Sequence, residues 1–219
     1  MKAIALYDLD RTVTVAPTFT PFLVHMAARH GGWRLALLPV WVLAMLGYKL
    51  GLYGRDGLKR FGLWLMVGRE VRNARLQPSI DAFVDQQITR NIRPGALEQI
   101  ARDQASDVLL VLVTAAPEIY ASAMADQLGF AVCIATRHKR SASGALLAEI
   151  DGRNNYGAEK VRRAQSWLQE SGLDRVELFI TAYTDHASDA PILDFADRGV
   201  LVGRFAKPSA RWQQVDWGR

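Results

Sequence analysis

From residue 94 to residue 203, short apolar runs alternate with stretches of helical period, and no other feature constrains the fold of this chain as much. The runs are "VLLVLV" (108–113), "AVCIA" (131–135), "ELFITAY" (177–183) and "GVLVG" (199–203), with helical patterns over 95–105, 118–128, 158–172 and 191–196. A strand that is apolar at nearly every position must be covered on both faces, as happens in parallel sheets whose crossovers are helices. With "AIALY" at residues 3–7, the pattern predicts an α/β fold built on a doubly wound, Rossmann-like parallel sheet.

The rhythm breaks once. Residues 15–92 offer no convincing strand, and Ile80, Phe83, Val84 and Ile88 recur at helical spacing after Pro78. The expected organisation is an all-helical cap at 15–92, inserted after the first strand, and a core domain assembled from 1–14 and 93–219. Within the cap, "LALLPVWVLAMLGYKLGLY" (35–53) is flanked by Arg29, Arg34, Arg55, Lys59 and Arg60. Its length approaches the roughly 20 residues of a membrane-crossing helix. A crossing there would leave Asp8 and the residues after 55 on opposite sides of a bilayer, which one sheet does not allow. Two readings stay open: a helix in the core of the cap, which is favoured, and an interfacial helix whose basic flanks bring residues 35–60 against an anionic membrane surface.

The 27 Lys and Arg against 22 Asp and Glu, a net charge of +5, favour anionic partners such as phosphorylated small molecules or anionic lipid. No RNA-binding aromatic strand and no paired Cys and His ligands occur, so no nucleic-acid partner is expected. Cys133 is the only cysteine, which excludes an intrachain disulfide and a cysteine metal site; within "AVCIA" it reads as an inert core thiol. The chain starts directly with a strand pattern and not with a leader. The expected location is cytoplasmic, or peripheral at the inner face of the membrane if the interfacial reading holds.

Ligands of open parallel sheets bind beyond the carboxyl ends of the strands. The polar residues at those positions are Asp8 and Asp10 after the first strand, Thr114 after the second, and Thr184, Asp185 and Asp189 after "ELFITAY"; Lys160 opens a helix in "NNYGAEK". Singly, each has an ordinary reading: an Asp in a turn, Ser188 or Asp189 capping the helix near Pro191, a solvated lysine. Together, four carboxylates at one sheet edge repel one another unless a cation is present. A hard divalent ion such as Mg2+ meets that need and keeps phosphate as its companion. If the chain stays extended, Asp8 and Asp10 project to one side, where one could attack phosphorus while the other manages protons.

These residues resemble the haloacid dehalogenase superfamily, in the branch of subfamily IB that includes phosphoserine phosphatase. "YDLDRTVT" is similar to its first motif, "LVLVTAAPE" to the second, "GAEK" to the third and "YTDHASDAPIL" to the fourth, in order, with a helical insertion directly after the first. The resemblance implies Asp8 as nucleophile, Asp10 as the acid and then base, and Lys160 offsetting charge on the phosphate and the nucleophile. It implies Thr114 and the backbone beside it at Ala115 as the phosphate cradle. Magnesium would be held by Asp8, the backbone carbonyl of Asp10 and Asp185, with Asp189 acting through water or as an orienting group.

Two positions depart from the family's commonest pattern. Arg11 replaces the glycine of Asp-x-Asp-Gly-Thr, either tolerated by the turn or guarding the entrance and touching the leaving group. His186 stands where small residues are usual, as an exposed loop residue or as part of the pocket. Basic "RHKRSASG" (137–144) reads as a solvated hairpin, and the tryptophans of "RWQQVDWG" as packing against the domain. The expected function is a magnesium-dependent phosphatase of a small phosphomonoester, with an aspartyl-phosphate intermediate. The alternative is a membrane-associated lipid phosphatase, because phosphatidylglycerophosphate phosphatases of the same branch also carry a hydrophobic segment after the first motif. A fold kept without turnover is a third reading, opposed by the intact Asp8, Asp10, Lys160 and Asp185.

Overall fold

A computed structural model of the chain describes residues 1–203 and 211–218. Its central sheet is formed by β1 (Lys2–Tyr7), β3 (Leu109–Pro117), β4 (Val132–Thr136), β7 (Leu178–Thr184), β8 (Arg198–Val202) and β9 (Gln213–Val215). The order is β4-β3-β1-β7-β8-β9, and every neighbouring pair is parallel. From β1 the chain builds outward through β3 and β4, then returns to β7 on the other flank. The junction of β1 and β7 is therefore the switch point at which such sheets leave a crevice.

Alternation along the strands explains the continuous apolar runs. Ala5, Tyr7, Leu110 and Leu112 face one core, whereas Ile4, Leu6, Val111, Val113, Ile180 and Ala182 face another. α5 (Pro94–Ala105) and α6 (Glu118–Gln127) cover the first face, and α7 (Ala158–Glu170) and α8 (Ala190–Phe195) cover the second. The sheet is thus the doubly wound parallel one expected. The run "AVCIA" is the exception to full burial, because β4 is an edge strand and leaves Val132, Cys133 and Ile134 partly exposed. Burial nonetheless pushes the Cys133 thiol up to about 12, which suits an inert side chain. β9, too short to show a period, brings in the tail: Trp217 is buried against Tyr7 and Tyr183. At Gly95 a β-carbon would come within 2.6 Å of the Trp217 backbone, so glycine is required there.

Between β1 and β3 lie α1 (Phe19–Arg29), α2 (Leu38–Lys49), α3 (Arg55–Met66) and α4 (Gln77–Arg90). The chain leaves and re-enters through adjacent extended segments, with Thr14 bridged to Ile92 and Arg93 N–H bonded to the Val13 carbonyl at 2.9 Å. The inserted stretch is not wholly helical. β2 (Glu70–Arg72) joins β6 (Leu146–Ile150) and β5 (His138–Arg140) in a small antiparallel sheet, in the order β2-β6-β5. Three residues carry no readable period; pairing with β6 and burial of Val71 make them a strand. The basic stretch at 137–144 does form a hairpin, but His138 is buried in it.

The apolar stretch at 35–53 also differs from the favoured expectation. α2 buries Trp41 and Gly47 but leaves Val40, Val42, Leu43 and Leu46 exposed, so only one of its sides belongs to a core. α3 covers that inner side, with Phe19 of α1 against Trp41 at 6.0 Å between ring centroids, and nothing among the described residues covers the other. Among the described residues no helix is long and apolar enough to cross a membrane.

Candidate active site

β1 ends at Tyr7, which pairs with Tyr183 of β7, so Asp8 and Asp185 emerge from neighbouring strand ends at the switch point. The Asp8 N–H is still held by the Tyr183 carbonyl, at 3.0 Å. Residues Leu9–Val13 then form one wide turn, closed by the Thr14 N–H on the Leu9 carbonyl at 2.9 Å. Within it Arg11 adopts φ +63°, the left-handed region in which a β-carbon is unfavourable. That geometry explains why glycine is usual at this point of the motif. The Arg11 side chain is exposed, and its charge acts on Asp185.

Lys160, 2% exposed in the first turn of α7, donates to Asp8 Oδ1 at 2.7 Å and to Asp189 Oδ2 at 2.6 Å. The Thr184 hydroxyl donates to the same Asp189 oxygen at 3.0 Å, and Asp189 Oδ1 is buried without a hydrogen-bond partner. Thr12 Oγ1 stands 3.3 Å from Asp8 Oδ2 and 3.5 Å from Asp185 Oδ1, which places these two carboxylates on either side of one hydroxyl. Burial pushes the Asp8 carboxyl up to about 7, against the opposing pull of Lys160. Burial also raises Asp185, opposed by His186 and Arg11. For Lys160 burial acts downward, but Asp8 and Asp189 outweigh it and hold the ammonium above its ordinary range. Two carboxylates thus share one buried ammonium, and Asp185 reaches the pair only through Thr12.

Asp10 is held differently. The Thr18 N–H and hydroxyl both donate to Asp10 Oδ1 at 2.8 Å, and the Tyr120 hydroxyl lies 2.9 Å from the Thr18 oxygen. With its own proton directed at Asp10, Thr18 accepts from Tyr120, giving a relay that orients the carboxylate from α1 and α6. Thr114, inside β3 where the pairing with β4 shifts register, accepts the Ala116 N–H at 3.0 Å, and its carbonyl accepts from Asn155 Nδ2 at 3.0 Å. His186 closes a local turn with Ser188, at 2.8 Å to its hydroxyl and 3.0 Å to its N–H, in an exposed loop.

Sequence reasoning missed the supports of this site: Thr12, Thr18, Tyr120, Asn154, Asn155 and Lys59. Lys59 is the most informative. Expected among the basic flanks of the apolar segment, it instead turns inward from α3 and donates to the Ala115 carbonyl and to Asn154 Oδ1. Burial lowers its ammonium to about 8, opposed by the charges of Asp10 and Asp56. The available signal was that Lys59 shares a helical face with buried Leu63 and Met66, four and seven residues further on.

The family model of haloacid dehalogenase-like hydrolases matches residues 5–194. The chain is 29% identical over 205 residues to protein CicA of Caulobacter vibrioides, which spans 93% of this chain and 87% of CicA. Among solved structures it is similar to a Bordetella pertussis Tohama I protein of unknown function, with TM-score 0.86, 23% identity and full coverage of both chains. It is also similar to phosphoserine phosphatase solved as a phospho-aspartyl intermediate analogue, with TM-score 0.63 and 16% identity, over 100% of this chain and 94% of that one. Both structural likenesses are likenesses of fold.

Proposed function

Because the chain belongs to the haloacid dehalogenase-like hydrolase family, we propose that it is a magnesium-dependent phosphatase that hydrolyses a small phosphomonoester through an aspartyl-phosphate intermediate, in the manner of phosphoserine phosphatase. The observation that carries this reading is Lys160 bonded to both Asp8 and Asp189, with Thr12 between Asp8 and Asp185. Asp8, fixed at the end of β1, attacks phosphorus in line and becomes phosphorylated. Asp10, aimed by Thr18, first protonates the leaving oxygen and then takes a proton from the hydrolytic water. Thr114 and the backbone at Ala115 receive the phosphoryl oxygens, and Lys160 offsets the charge that gathers there. Asp189 keeps Lys160 in place, and Arg11 stands where the leaving group departs. In this reading residues 15–92 cap the core formed by 1–14 and 93–219.

The residues fit magnesium. It takes oxygen donors, usually one or two carboxylates beside waters and substrate phosphate. Asp8 and Asp185 turn oxygens to one hydroxyl, and burial makes both costly to ionise without a further positive charge. Among the described residues no three acidic, His or Cys side chains form a ready cluster. A site of two carboxylates, the Asp10 carbonyl and waters needs none. Bound there, the cation would offset the crowded carboxylates and polarise the phosphoryl group. The test is hydrolysis of a chromogenic phosphomonoester with and without magnesium, by wild type and Asp8→Asn. Turnover should need the metal and fall to background in the variant; full turnover by Asp8→Asn would overturn the mechanism.

A second reading, a lipid phosphate taken at the inner face of the membrane, is favoured by the exposed apolar side of α2. Rates on phosphoserine and on a phosphatidylglycerophosphate-type lipid in mixed micelles separate the two. In either case the reading places the protein in the cytoplasm.

A further inference from the structure

We propose that the outer side of α2, with Leu50, Leu52, Trp33 and Trp64 beside it, docks this protein on an anionic lipid bilayer, the helix lying in the plane of the interface. The inference deepens the second reading above, but binding is measured without substrate and stands or falls apart from hydrolysis.

The first observation is the exposure itself. Leu43 is 66% exposed, Leu46 51% and Leu50 69%, while Trp64 of α3 is 58% exposed. A helix that is hydrophobic all round belongs in a protein core or in lipid, and exposed contiguous apolar surface marks an interaction site. α2 has 12 residues, about 18 Å at 1.5 Å per residue, against about 30 Å of bilayer hydrocarbon. It can lie in an interface but not cross one.

The second observation is charge. Of the 27 Lys and Arg and 22 Asp and Glu in the chain, residues 15–69 hold seven and one, leaving 20 and 21 for the rest. The whole positive excess therefore lies in this segment, although one of its seven cations, Lys59, turns inward to Ala115 and Asn154. Lys49 ends α2; Arg60 and Arg69 line a cavity of about 330 Å³ together with Phe61 and Trp64. Arg34 stacks under Trp33 at 4.9 Å and donates to the Leu65 carbonyl at 2.5 Å, tying the Trp33 turn to the Trp64 end of α3. Leucines flanked by tryptophan and basic residues, with Asp56 the one carboxylate of residues 15–69 and Glu149 across the cavity beside Arg60 and Arg69, match an anionic headgroup layer over acyl chains. A second copy of the chain fits worse, since pairing two such sides sets like charges against each other.

The test is co-sedimentation of the full chain with vesicles of phosphatidylglycerol and phosphatidylcholine in equal parts, against phosphatidylcholine alone. Pelleting should require the anionic lipid and fall with salt. Leu43→Gln with Leu46→Gln should weaken it at least tenfold, and Lys49→Gln roughly fivefold, both with unchanged circular dichroism and unchanged hydrolysis of a soluble ester. Absence of pelleting at low salt, or pelleting that the double variant leaves intact, overturns the proposal. So does a concentration-dependent dimer in sedimentation equilibrium that the double variant abolishes while vesicles are ignored.

Discussion

The α/β body and the helical insertion use apolar residues in opposite ways. In the body, runs such as 108–113 are apolar because helices press on both sides of the strand, and their hydrophobicity reports burial. In α2 an equally apolar run sends half of its side chains to solvent. For charge, the body buries Lys160 with Asp8 and Asp189, and the insertion keeps Lys49 and Arg60 outside while turning Lys59 in toward Ala115. Hydrophobicity thus reports burial in the body and in the core of the insertion, around Phe22, Leu63 and Phe83, but not on the outer side of α2.

Substitution tests that difference most directly. Lys160→Met leaves Asp8 and Asp189 without their shared cation and should cost about 3 kcal/mol of stability in urea denaturation, besides removing turnover. Leu43→Gln, an apolar loss on an exposed helix side, should change stability by less than about 0.5 kcal/mol. A cost of several kcal/mol for Leu43→Gln would mean that this side is covered within the chain, and the contrast would fail.

The seam between body and insertion gives the next effect. His138 sits in the small sheet that β2 joins, donates from Nδ1 to the Leu147 carbonyl at 2.9 Å, and buries Nε2 without a partner. Burial, opposed by that carbonyl, lowers its pKa to about 4 from an ordinary 6.5. The unfolded chain then binds the proton first as pH falls, so this contribution is full above 6.5 and is lost progressively toward 4. The loss amounts to about 3 kcal/mol. Asp8, raised by burial, gives a slope of opposite sign in metal-free protein. The quantity to measure is thus the difference between wild type and His138→Gln at pH 7 and pH 4.5, which should shrink at the lower pH. A constant difference would remove His138 from the seam's energetics.

This division also governs what the sequence disclosed. Asp8, Asp185 and Lys160 were legible because strand ends and helix starts are local signals, and an open sheet sends all of them to one edge. Thr12, Thr18 and Tyr120 were not, since their role exists only once α1 and α6 pack against the turn after β1. β2 and β9, three residues each, are strands by pairing and not by pattern. The outward side of α2 was invisible to periodicity, because a helix apolar on every side has no preferred face to read. Lys59 shows the same limit for charge: as a flanking cation it looked solvated, and only the position of α3 over β3 turns it toward Ala115.

A small gain in stability is expected at the turn where the two regions meet. Arg11 holds φ +63° at a position that glycine occupies in the commonest form of the motif, and a left-handed L-residue carries roughly 1–2 kcal/mol of strain. Glycine removes that strain but restores freedom to the unfolded chain, worth about 0.5–1 kcal/mol in the other direction. Arg11→Gly should therefore raise stability by about 0.5–1 kcal/mol, read as a small upward shift of the melting temperature. If the guanidinium meets the leaving group, the same variant lowers kcat/KM on the physiological ester while sparing a chromogenic one. A gain in stability with no change on either ester would leave Arg11 as a side chain that the turn only tolerates, and the entrance to the site would then be shaped by the insertion alone.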